Sequence, residues 1–132
     1  MAVTRLPLSQ LQRALYERLE TILNVGVFDY VTERASLPYA AIGEFRVTNQ
    51  NQKASWTLEV IGTIHIWSRA EGMKECQEIA DTILESLTED ELSLQTFTNV
   101  GTWFLDFATV AEFTGDEPIR HGVLNVRWIL SS

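Results

Sequence analysis

The side chains with the most chemistry to offer in this 132-residue sequence are two histidines, one cysteine and 18 carboxylates. His65 and His121 lie far apart in the chain and fall in different predicted strands. A metal centre would need the fold to join them and to add a third ligand at coordination distance. With no such ligand in sequence, both read as strand histidines at a surface or interface. Cys76 is alone on the apolar side of a predicted helix, so no internal disulfide is possible. It reads as a small buried hydrophobe, made in a reducing cytoplasm. No HExxH, GxSxG or CxxC run is present, and no glycine loop or nucleotide fingerprint offers to hold a phosphate. An enzyme built on this chain would have to set His65 with Glu59 or Glu44 in a pocket between sheet and helices.

The carboxylates are patterned. Glu71, Glu75, Glu78, Asp81, Glu85 and Glu89 recur at helical spacing, and Asp90 and Glu91 follow the helix end. Acid–base catalysis requires a desolvated carboxyl group, whereas these positions lie opposite an apolar stripe and read as a solvated face. Like charges at this spacing cost roughly a few tenths of a kcal/mol per pair, and acid near a helix C-terminus opposes the macrodipole. The stripe therefore points to a use outside folding. Ser68 and Glu71 form the Ser-x-x-Glu of a capping box, which starts the helix and is not a catalytic pair.

The elements that position these residues follow from periodicity. Leu8, Leu11, Leu15, Leu19 and Ile22 mark one face of a first helix, with Pro7 at its start and Gly26 at its exit. A short strand, VGVFDYV, precedes a turn at Pro38, and a second strand spans Tyr39 to Thr48. The polar run 48–55 reads as the tip of a hairpin. Beyond it Trp56, Leu58, Val60, Gly62, Ile64 and Ile66 alternate toward the core. The opposite face holds Ile61 and Trp67, side chains large enough to need a cover. The second helix buries Met73, Cys76, Ile79, Ala80, Ile83, Leu84 and Leu87. LSLQTF reads as a short strand, and Trp103, Leu105, Phe107, Ala111 and Phe113 alternate down a longer one. The TGDEP turn leads to a last strand with Gly122, Leu124, Val126, Trp128 and Leu130 inward and His121, Asn125 and Arg127 outward.

This order predicts one α+β domain over 1–132: an antiparallel or mixed sheet of five to six strands with two helices packed on one face. The N-terminal residues mix charge into the apolar positions and give no secretion signal or membrane span, so a soluble, unexported chain is expected. A net charge of −8 without a Lys/Arg patch argues against tight DNA binding.

Three stretches, LPYAAIGEFRVTNQNQ, HIWSRAEGMKECQEIADTILESL and RHGVLNVRWIL, resemble in order and spacing the family of tailed-phage and prophage tail-completion proteins, the tail terminators that join head to tail. The likeness extends to the LQRALYERLETI helix, while 88–103 depart from the family pattern. The resemblance implies a structural virion protein at the tail–head interface, with no reaction, cofactor or metal. It implies a self-assembled ring, usually a hexamer, that caps the tail tube, binds the head connector and lets DNA pass through its lumen. Ile61, Trp67 and His121 are then the candidate subunit contacts. Arg46, Asn49, Gln50, Asn51, Gln52, Lys53, Thr114, Asp116 and Glu117 are candidates for contact with tube or connector. Glu71, Glu75, Glu78, Glu85 and Glu89 are candidates for the lumen wall, where negative charge would repel DNA. A neck or head–tail adaptor protein is the neighbouring alternative. A dimeric small-molecule-binding or enzymatic domain, or a regulatory adaptor binding through the acidic helix, are the alternatives from other classes.

Overall fold

The computed structural model describes residues 5–29, 36–50, 56–69, 73–114 and 117–132, without the side chains at 113, 114 and 117. Helix α1 (Leu8–Ile22) is followed by strands β1 (Gly26–Phe28), β2 (Tyr39–Asn49) and β3 (Thr57–Arg69). Helix α2 (Met73–Glu89) leads to β4 (Thr98–Thr114) and β5 (Glu117–Ser131). The five strands form one sheet in the order β1-β2-β3-β5-β4. β1 runs parallel to β2 and every other pairing is antiparallel, so the sheet is mixed and the α+β expectation holds. The chain leaves β3 through α2 and returns at the far edge as β4, leaving the place between for β5.

Both helices pack on the same side. Leu11, Leu15 and Leu19 of α1 and Cys76, Ile83 and Leu87 of α2 are fully buried in one cluster with the inward residues of β3 and β5. Gly62 lies beneath this cluster: a Cβ there would stand 2.6 Å from Phe45 and 2.7 Å from Trp128. The missing side chain lets Phe45 lie against the indole of Trp128, 6.2 Å between ring centroids. Gly122 similarly makes room for Cys76 Sγ and the ring of Phe107. Burial pushes the Cys76 thiol above its ordinary range, as expected of a structural cysteine.

Arg18 ties the two helices together. Its Nη1 donates to the carbonyls of Ser86 (3.0 Å) and Asp90 (2.7 Å), satisfying chain-end acceptors of α2 with a cation. That charge offsets the acid that the sequence concentrates at this helix end.

The structure corrects four details of the sequence reading. LSLQTF forms no strand: Leu92 and Phe97 are buried plugs in a loop whose Thr96 N–H is taken by Gln10 of α1 at 2.9 Å. Met73 is 52% exposed rather than buried. β1 is only three residues long. Finally, β4 does not alternate cleanly, because register shifts between Asn99 and Gly101 and between Phe104 and Asp106. A bulge reverses which side later residues face. Trp103 lies opposite Arg127 on the outer face, whereas Phe107 lies opposite Leu124 on the helix side. The capping box lies partly outside the described residues, at Glu71; Ser68 is fully buried.

Candidate functional site

The outer face of the sheet, opposite the helices, is where the sequence-marked residues meet. Strand pairing puts Trp67 directly opposite His121 on one side and Tyr39 on the other. The indole and the His121 imidazole stack at 4.4 Å and 9°. His65 stacks on both, at 5.4 Å from Trp67 and 5.0 Å from His121. The two histidines that the sequence kept apart are therefore in contact, His65 Nδ1 to His121 Nε2 at 2.8 Å. Ile61 is on the same face further along β3, opposite Arg46 and Arg127.

Two carboxylates complete this cluster. His121 Nδ1 lies 2.7 Å from Glu112 Oε1 of β4, and His65 Nε2 lies 3.5 Å from Glu44 Oε2 of β2. Glu44 reaches His65 because β2 carries an irregularity between Ile42 and Phe45. Gly43 sits in that irregularity, where a Cβ would stand only 2.7 Å from the His65 ring. The Glu44 carboxyl is held below its ordinary range, first by its own backbone N–H and then by His65. The Tyr39 phenol is raised by burial and by the charge of Glu112.

Further along the same face, polar side chains satisfy one another across strands. Thr63 Oγ1 donates to Asn125 Oδ1 (2.6 Å), and Asn125 Nδ2 donates to Asp106 Oδ1 (2.7 Å). Arg127 Nε donates to Glu59 Oε2 (2.6 Å) while its guanidinium lies 5.3 Å from the Trp103 ring centroid. Such ordered side chains present a fixed surface, because their rotamer freedom is already lost.

β4 adds a run of exposed apolar residues beyond the contact candidates Ile61, Trp67 and His121. Val100, Trp103, Phe104, Leu105 and Val110 are each 40–55% exposed, on a 17-residue strand whose outer edge has no partner strand among the described residues. The sequence signal was there in the unbroken run Trp103-Phe104-Leu105, which cannot all face inward on a strand.

The remaining candidates are dispersed. Arg46 and Asn49 are exposed on β2, and the Gln50 N–H is held by the Thr57 carbonyl at 2.9 Å. Asn51, Gln52 and Lys53 lie outside the described residues, as does Asp116; Thr114 and Glu117 are described only as a backbone pair. Register places Thr57 by Ser131 and Ile119 by Arg69, so the strand residues that flank 51–55 and those that flank 115–116 are at opposite ends of the sheet. Glu75, Glu78, Glu85 and Glu89 lie on α2, three of them exposed, and Glu71 is outside the described residues. His65, Glu59 and Glu44 lie away from the helices, so they line no pocket between helices and sheet. No described group of three or more His, Cys, Asp or Glu is arranged to hold a metal.

Residues 10–131 match the family model described as tail completion protein gp17. The chain belongs to that family. It is 27% identical over 127 residues to the tail completion protein gp17 of Bacillus phage SPP1, covering 92% of each sequence. The solved structure of bacteriophage SPP1 gp17 superposes with a TM-score of 0.62 at 26% identity, over 95% of this chain and 91% of that one. A chain from the virion of a native gene transfer agent particle has the same fold, with a TM-score of 0.77 at 20% identity over 98% and 100% of the two chains. The chain is thus a structural protein of phage tail completion, not an enzyme.

Proposed function

We propose that copies of this chain close into a ring, a hexamer as the resemblance implies, that caps the tail tube and joins it to the head connector. The observation that carries this reading is the β4 edge. Among the described residues, five of the seven large exposed hydrophobics sit on that one strand. Trp103 and Val110 share the aromatic outer face, opposite Arg127 and His121, while Phe104 lies opposite Val126 on the helix side. A long, unpaired, apolar edge invites association unless something covers it. The opposite edge, β1, is three residues long, and a ring requires β4 to meet a different surface of its neighbour, since only a heterologous contact propagates until it closes.

Trp67, His121 and Ile61 extend this subunit contact onto the sheet face. The strand ends that flank 51–55 and 115–116 lie at opposite ends of the sheet, which suits axial contacts to the tube on one side and the connector on the other. If neighbours meet edge to edge, the acidic face of α2 stays open and can line a lumen that repels DNA. Assembly takes place in the bacterial cytoplasm before the ring becomes part of the virion.

Electron microscopy of the protein mixed with its own tail tube subunit tests this role. The expected product is tubes of defined length, each ending in a ring. Rings found only on isolated connectors would transfer the chain to a neck or adaptor role. Tubes that keep growing in its presence would contradict the capping function.

A further inference from the structure

Glu44, His65, His121 and Glu112 form a chain in which each ring nitrogen has one partner. The separations are 3.5 Å from Glu44 to His65 Nε2, 2.8 Å between the rings and 2.7 Å from His121 Nδ1 to Glu112. A carboxylate only accepts, so the short contact to Glu112 requires a proton on His121 Nδ1. The facing nitrogens, at 2.8 Å, require one proton between them and no more, since two lone pairs or two N–H groups at that distance repel. These two protons are all that a pair of neutral imidazoles holds. In that state His65 Nε2 is a bare lone pair directed at a carboxylate. Their 3.5 Å separation is longer than a charge-assisted hydrogen bond.

We infer that His65 and His121 together form a binding site for one additional proton, which enters at His65 Nε2 and completes the chain from Glu44 to Glu112. Hydronium from solvent gives its proton to the free lone pair: one O–H bond breaks, one N–H bond forms at Nε2, and water leaves. The pair then carries one positive charge between two carboxylates, and the Glu44 contact shortens. A further proton is excluded, because the last lone pair, on His121 Nε2, already accepts from His65 Nδ1–H.

The surroundings favour a single cation here. Trp67 offers its ring face to both imidazoles. From the flanking strands, Tyr39 and Glu44 of β2 and Glu112 of β4 are the titratable groups facing the pair. Arg69 follows Trp67 on the same face, while Asp106 and the Glu59–Arg127 pair lie further along. A metal ion would find only two inward ring nitrogens, each imidazole having turned its other nitrogen to a carboxylate, and no described third ligand.

The use of this site rests on the proposed subunit contact. Proton uptake removes negative charge from a face that sibling copies, each at −8, bring together, so the contact strengthens as pH falls.

NMR correlation of imidazole nitrogens with ring protons, on the full chain at dilute concentration, tests the site from about pH 8 to about pH 5. The expected result is uptake of one proton by the pair, with the change at His65 Nε2 while His121 keeps Nδ1 protonated. Uptake of two protons in the folded chain, uptake of none, or a change localised to His121 overturns the inference. Gly43→Ala, whose added carbon displaces the His65 ring, is expected to uncouple the rings so that each takes its own proton. Single uptake persisting in a folded Gly43→Ala chain also overturns it. So does equimolar Zn²⁺ that shifts the same nitrogens. Because every readout is on the free chain, a protein that takes up one proton yet forms no ring refutes the assembly reading and leaves the proton site standing.

Discussion

β3 and β5 present two different surfaces built from alternate residues of the same strands. On the helix side Val60, Ile64, Val126, Trp128 and Leu130 are completely buried. On the other side Glu59, Ile61, Thr63, His65, Trp67, His121, Asn125 and Arg127 are all of intermediate exposure, and most are paired with one another across strands. The first surface is held by removal of apolar area from water, which is large and insensitive to detail. The second is held by geometry among polar and aromatic groups and contributes little net stability to the free chain. Apolar bulk such as Trp67 and Trp103 on that second surface is what the proposed subunit contact would bury.

Substitutions on the two sides should therefore fail differently. Trp128→Ala empties the helix side where Phe45 lies over Gly62, and should cost about 3–5 kcal/mol in denaturant unfolding. A loss below about 1 kcal/mol would mean that the core does not depend on this layer. Trp67→Asp removes the ring that stacks on both histidines. It should cost the monomer roughly 1 kcal/mol, in line with cross-strand aromatic pairs, yet abolish rings in sedimentation and microscopy. Native-sized rings from this variant would take Trp67 out of the interface.

Leu105→Ser, in the exposed apolar run of β4, should leave unfolding within about 0.5 kcal/mol of the parent while weakening association. An unchanged assembly would shift the contact away from that edge. The smallest effect is expected at Glu44. Its folded-state carboxyl is depressed, so its contribution is present above the ordinary value of 4.5 and is lost as pH falls through the lowered one. Glu44→Gln should therefore lower thermal stability slightly at neutral pH, by less than about 1 kcal/mol for so exposed a group, and match the parent in acid. A gap that persists once pH has fallen below the lowered carboxyl range would contradict the assigned cause.

The comparison also shows what a sequence of this kind discloses. The helix side was legible because periods of two and of three to four residues mark it directly in Leu58–Ile66 and in Leu11–Leu19. The contact between His65 and His121 was not legible, since it depends on β5 rather than β4 lying beside β3, and no local pattern encodes strand order. Simple alternation puts Trp103 and Phe107 on one side of β4, whereas a bulge at Leu105 separates them, and bulges leave only a weak local trace. The apolar residues of LSLQTF are spaced like those of a strand, whereas burial of Leu92 and Phe97 in the core cluster satisfies them without pairing.

The central claim, that the outer face and the β4 edge are buried by sibling copies, is tested most directly by oxidative footprinting of tryptophans in free chain and in assembled tails. Trp128, buried in the protomer, serves as the internal reference and should stay unlabelled in both. Trp67 and Trp103 should be labelled in the free chain and protected several-fold in the assembly. Equal labelling of both in the two states would contradict the account.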